Sequence, residues 1–165
     1  MFIIRVQKSE HRLTGKLFGK GLFATRTVRA GEALFTLDGP IITFTEASAM
    51  GDEQSYALQC GQNSYISLTE PARFINHSCD PNAGIRRHTM VAIRSIAENE
   101  EVTFDYSTTM DEQYWTMVCH CKTPLCRGIV DDFRTLATDV QRRYLNLGIV
   151  MPFIASKFDP SKNRQ

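Results

Sequence analysis

The stretch CHCKTPLC places Cys119, Cys121 and Cys126 in a Cys-x-Cys-x4-Cys array. Thiolates at such spacing suit Zn2+, which takes four tetrahedral ligands with sulfur at about 2.3 Å. The Cys-x-Cys pair can put two sulfurs on one ion, and the Pro124 turn can bring round a third. A fourth must come from elsewhere. Cys79 sits in a turn able to deliver one, Cys60 is an alternative, and His120 is awkwardly wedged between two ligands. The five cysteines are odd in number and lie in a chain that carries no mark of secretion, so metal binding is favoured over a disulfide framework. Four thiolates on Zn2+ carry a net charge of −2, and Arg73, Lys122 and Arg127 are near enough in sequence to offset it.

The second chemically dense stretch is RFINHSCDPNA, from Arg73 to Ala83. Phe74 and Ile75 run straight into Asn76, His77, Ser78 and Cys79. A surface turn accounts for the Asp-Pro-Asn part only. Taken alone, His77 reads as a satisfied core histidine, Cys60 as a small buried hydrophobe, and Tyr106 as a strand aromatic whose hydroxyl reaches water.

The elements that must position these groups are mostly short strands broken by turns. Phe2–Val6, Gly21–Thr25, Ala33–Leu37, Tyr65–Leu68, Met90–Ser95 and Val102–Tyr106 are expected strands, and glycine and proline punctuate them. A short helix is expected within Thr45–Gln54. The clearest helix is Asp131–Leu147, where Phe133, Leu136, Val140, Tyr144 and Leu147 share one face. Asp131 and Asp132 suit its positive end, and Gly148 can cap it. Ile149–Ile154 should pack back on the body. With 165 residues, 42% hydrophobic and 22% charged, the chain is expected to bury a real core. A net charge of +1 gives no bulk case for nucleic acid or an anionic membrane, and no apolar run is long enough to span a bilayer. An intracellular protein is expected, nuclear or cytoplasmic.

Three stretches resemble, in order, the motifs of SET-domain protein lysine methyltransferases: GKGLFATRTVRAGE (Gly19–Glu32), RFINHSCDPNA, and EEVTFDY ending at Tyr106. CHCKTPLCRG (Cys119–Gly128) is similar to the zinc-binding post-SET segment that follows them. The resemblance implies a mainly β fold, the β-clip or SET fold. Its small curved sheets hold a threaded pseudoknot, followed by the zinc segment and a C-terminal α-helix. The implied division is 1–117, 118–130 and 131–165. The resemblance further implies that S-adenosylmethionine is held by Phe18, Gly19, Lys20, Tyr56, Asn76, His77 and Tyr106, and that Cys79 completes the structural zinc site. His77 then has a structural role with a backbone contact, and Arg73 neutralises thiolates or makes a core hydrogen bond.

By the same resemblance Tyr106 is the active-site tyrosine and Phe104 lines the substrate channel, where phenylalanine leaves room for more than one added methyl. Asp105 supports the fold, because alternation points it away from Tyr106. The acceptor would be lysine in a protein or peptide, a histone or other basic protein among the options. Its amine must be neutral, yet at pH 7 only about one free lysine in 2,500 is neutral. Lowering its pKa by roughly three units costs about 4 kcal/mol, which burial beside a sulfonium can supply. Two other readings stay open: a catalytically silent SET-like zinc module that binds a protein partner, and transfer to an acceptor other than lysine.

Overall fold

A computed structural model describes residues 3–9 and 19–158. Phe18, one of the expected cofactor residues, and Phe2 of the expected first strand lie outside them. The first strands in chain order are β1 (Ile4–Ser9), β2 (Gly19–Ala24), β3 (Ala33–Thr36), β4 (Ile41–Ile42), β5 (Ala57–Gly61) and β6 (Ser64–Ser67). Then come β7 (Asn76–His77), β8 (Ala83–Arg86), β9 (Thr89–Ala92), β10 (Glu101–Phe104), β11 (Met117–Val118) and β12 (Ile129–Val130). The α-helices are α1 (Phe44–Ser48), α2 (Thr138–Leu147) and α3 (Pro152–Ala155).

The strands form small separate sheets rather than one large one, in the orders β1-β2-β10-β7, β3-β9-β8, β4-β6-β5 and β11-β12. Most pairings are antiparallel. The exception positions the site: β7 and β10 run parallel, with Asn76 beside Thr103 and His77 beside Phe104. Glycine is required at Gly21, where β2 passes between its neighbours. A Cβ there would sit 2.2 Å from Glu101 Oε1 and 2.9 Å from Ser9 Cβ, closer than van der Waals contact allows.

The main core gathers Leu22, Val28, Ile85, Met90, Val102 and Ile96, all at most 1% exposed. Side chains from the C-terminal region enter the same core: Phe133, Tyr144, Ile149, Met151 and Ile154 are equally buried. The expected return of Ile149–Ile154 onto the body is therefore present. It also explains Gly84, whose added Cβ would meet Ile149 at 2.7 Å. A smaller cluster joins Cys79, Met110, Cys119, Cys121 and Val130.

Several boundaries differ from expectation. The helix expected over 131–147 is α-helical only from Thr138, and a 3-10 turn spans Phe133–Thr135. Leu136 and Ala137 are extended between them. Asp132 precedes the 3-10 turn but its side chain makes no capping bond there. Its carboxylate accepts from the backbone N–H groups of Glu112 (3.2 Å) and Gln113 (2.8 Å). The apolar spacing was a correct guide to burial but not to helix, because an irregular segment can also direct Phe133 and Leu136 inward. Gly148 does end the helix in the left-handed conformation, at φ 64°. The single helix expected in Thr45–Gln54 is two pieces. Thr43 and Glu46 form a capping box on α1, and a 3-10 turn covers Gly51–Tyr56. The strand expected to reach Tyr106 stops at Phe104. Asp105 then caps a 3-10 turn by accepting from Ser107 N at 3.1 Å, and Tyr106 opens that turn. The strands β5, paired with β6, and β8, paired with β9, carry glycine and turn residues beside them and no clear alternation to mark them in the sequence.

Candidate active site and metal centre

The parallel pairing of β7 with β10 sets the geometry. Asn76 is 2% exposed, and its amide donates to Lys20 O at 3.0 Å and Glu101 Oε1 at 2.7 Å. One side chain thus ties the glycine-rich strand β2 to β10. Gly19, Lys20, Asn76 and His77 are thereby gathered around one strand junction.

His77 is equally buried. Its Nδ1 accepts the backbone N–H of Tyr106 at 3.2 Å. That bond requires a lone pair on Nδ1, so the ring proton resides on Nε2, which faces Cys79 Sγ at 3.3 Å. The imidazole links the sulfur to the Tyr106 backbone. The nearby Asp105 carboxylate, 3.6 Å from Nδ1, has a stronger partner. Arg127 grips it with both terminal nitrogens at 2.7 and 2.8 Å. Tyr144 of α2 donates to it at 3.1 Å. Burial works against the charge on Arg127, but the Asp105 hydrogen bonds outweigh it and hold the guanidinium proton more tightly than usual.

Tyr106 donates its hydroxyl to Ile75 O at 2.7 Å. Phe104 and His77 stand around its ring, with centroids 4.8 and 5.3 Å away. Burial, assisted by the negative charge of Glu101, pushes the phenol pKa well up, so the hydroxyl remains a neutral donor. Tyr106 and Phe104 both line a cleft whose walls include Met110, Trp115, Tyr65 and Glu112. Among the described residues, none of the other expected cofactor residues (Gly19, Lys20, Tyr56, Asn76, His77) lines this cleft.

Tyr56 is half-buried, and the Arg73 guanidinium lies over its ring, 4.2 Å from the centroid. Arg73 also reaches Glu53 at 3.4 Å. The expected placement of Arg73 beside the thiolates is therefore not found, because its planar cation stacks on an aromatic face instead. Arg127 does approach them, but through its backbone, whose N–H points to Cys79 Sγ at 3.4 Å.

The four sulfurs of Cys79, Cys119, Cys121 and Cys126 all lie within 4.8 Å of one another. Cys79 and Cys119 are 3.7 Å apart, close to the edge of roughly 3.8 Å expected for a tetrahedron with 2.3 Å zinc–sulfur bonds. Three of the four are buried and Cys126 is exposed. Further N–H groups support the sulfurs, as Cys121 N does for Cys119 at 3.4 Å. Without a cation, burial drives the Cys79 thiol up to about 11, a cost of ionisation that a bound cation would offset. The donor set fits zinc. Cys60 is not part of it; its thiol donates to Ser64 O at 3.3 Å. His120 is not part of it either.

Several residues at the site had no signal in the sequence. Trp115, Tyr65 and Glu112 join the cleft through tertiary packing, and the Asp105–Arg127–Tyr144 network links three distant segments.

A mainly β framework of small sheets, a buried Asn-His pair next to a strand-end tyrosine, and a four-cysteine centre together define a SET-type domain. Residues 19–107 match the SET domain family, and the chain belongs to it. It is 39% identical to the histone-lysine N-methyltransferase ash1 of Drosophila melanogaster over 68% of this chain. It is 32% identical to the H3 lysine-4 specific histone-lysine N-methyltransferase of Saccharomyces cerevisiae over 67% of this chain. It is 29% identical to human histone-lysine N-methyltransferase 2B over 70% of this chain. The matched region spans only 6%, 12% and 5% of those three relatives. Among solved structures, an active polycomb repressive complex 2 in the basal state contains a similar fold, with TM-score 0.52 and 22% identity. That match covers 64% of this chain and 15% of the other.

Proposed function

We propose that this chain is an S-adenosylmethionine-dependent protein lysine methyltransferase with a structural zinc centre. The observation that carries the reading is the position of Tyr106. Its protonated hydroxyl is anchored on Ile75 O, at a cleft on one side and next to the Asn76–His77 strand on the other. Gly19, Lys20, Tyr56, Asn76 and His77 would hold the methyl donor, which supplies an electrophilic methyl on a sulfonium. Cys79, Cys119, Cys121 and Cys126 would hold zinc and fix the turn that carries Asn76.

The chain's own residues then do three things. Phe104, Met110 and Trp115 exclude water from the acceptor amine, which lowers its pKa and leaves it nucleophilic. Tyr106 and the neighbouring carbonyls orient the amine for in-line attack. The amine loses its proton to water before attack, so Tyr106 positions groups and need not act as a base. The relatives named above are histone-lysine methyltransferases by title, which makes histones the first substrates to try and chromatin the first compartment to examine. No helix among the described residues is long and apolar enough to cross a membrane.

The test is incubation with isotopically labelled methyl donor and core histones or a proteome extract, with mass spectrometry of the modified residue. Methyl-lysine should form and should fall by about a hundredfold with Tyr106→Phe, which removes the hydroxyl that orients the amine. Zinc content and donor binding without any transfer would instead identify a silent binding module.

A further inference from the structure

Resting on the methyltransferase reading, we infer that Glu112 and Tyr65 form a subsite for an arginine or lysine side chain flanking the target lysine in the substrate. The cleft lined by Tyr106 is also lined by Met110, Trp115, Tyr65 and Glu112, so a substrate whose lysine reaches Tyr106 brings its neighbouring residues near those walls. The cleft wall contains one carboxylate, that of Glu112, among the lining residues.

That carboxylate is not a loose surface group. Tyr65, 4% exposed, donates its hydroxyl to Glu112 Oε2. Asp132 fixes the backbone at Glu112 and Gln113, so the loop carrying the acid is tied to the body. Tyr65 also belongs to an aromatic group with Phe44 and Tyr114, whose rings meet edge to face at 5.1 Å. A carboxylate held by the Tyr65 hydroxyl, with the Trp115 ring in the same cleft wall, suits a guanidinium, which can pair in plane and stack. Burial raises the Glu112 pKa above its ordinary value, and the charge of Asp132 adds to this; the Tyr65 hydroxyl opposes them. A cationic partner would relieve that cost.

The charge logic also says which substrate residue goes there. A carboxylate beside the target amine would stabilise its ammonium form and oppose methyl transfer. A flanking cation carries no such conflict. The other charged group in the cleft wall is Arg73, and it is stacked on Tyr56 and paired with Glu53, so it does not neutralise Glu112.

The test uses the full chain and a set of lysine peptides in which each flanking position holds arginine or glutamine in turn. The wild type should prefer arginine at one position by about tenfold in kcat/KM. Glu112→Gln should bring that ratio close to one, Glu112→Asp should keep part of it, and Glu112→Arg should shift the preference to an acidic flank. Circular dichroism and donor affinity establish that each variant is folded. Lysine methylation by a wild type indifferent to flanking charge overturns the inference alone, as does an unchanged ratio in folded Glu112→Gln. If the wild type methylates no lysine, the function reading fails. Peptide binding by fluorescence anisotropy then decides the subsite on the same ratio of arginine to glutamine.

Discussion

Replacing Arg127 by methionine is the most informative single perturbation of the framework. The Asp105 carboxylate is fully buried, and the Arg127 side chain is 24% exposed. Removing one partner of a buried ion pair costs about 3–5 kcal/mol, because the other charge is left uncompensated. Asp105 keeps the Ser107 N–H and the Tyr144 hydroxyl, and water can enter where Arg127 stood. The low end, about 3 kcal/mol, is therefore expected. For a chain of this size that corresponds to a melting shift of roughly 6–12 °C. Urea unfolding and differential scanning calorimetry provide the measurement. The double variant Arg127→Met, Asp105→Asn should recover part of the loss, since no buried charge then lacks a partner. A single-variant cost below about 1 kcal/mol, or no recovery in the double variant, would refute the argument that this pair is the bridge between the metal loop and the Tyr106 turn.

Other perturbations follow from the same geometry. Purified protein should contain one zinc per chain by elemental analysis, and chelation should lower the melting temperature while Cys121→Ser binds metal more weakly. Phe104→Tyr should shift the products toward monomethyl-lysine in time-resolved mass spectrometry, because a second hydroxyl takes space and holds a water beside Tyr106. Asp111, buried and bonded to Lys157 and Arg134, has burial working to raise its pKa, but those two partners bring it below the ordinary value. A depressed carboxylate pKa gives stability that is full above about pH 4 and lost as pH falls through the folded value. Asp111→Asn should therefore cost stability near pH 7, and the gap to wild type should close toward about pH 3 in acid-unfolding curves.

The metal set and the chemistry-bearing stretches were legible because their residue types cluster in the chain. Cys119, Cys121 and Cys126 announce themselves by spacing, and Asn76 and His77 by an unusual polar run after Phe74 and Ile75. Strand positions with apolar content, such as Ala33–Thr36 and Ser64–Ser67, were found within a residue or so. The two-residue strand β7 has no period to detect, although its pairing places the entire site. Glu112 and Tyr65 are 47 residues apart in sequence, and nothing local to either signals the contact. Asp132 is expected at the positive end of the helix, because acids before an apolar period usually sit there. Tertiary packing instead assigned it to the loop at Glu112.

The region matched to the family ends at residue 107, whereas Phe133, Tyr144, Met151 and Ile154 are among the least accessible side chains of the whole molecule. A fragment cut at the family border would leave their hydrophobic counterparts, Ile85 and Met90 among them, open to water, and would orphan the acid that Tyr144 solvates. Trimming a chain of this kind to its recognisable motif would discard part of its interior. Such a fragment should aggregate or be degraded, and a lack of activity in it would say nothing about the chemistry of the intact protein.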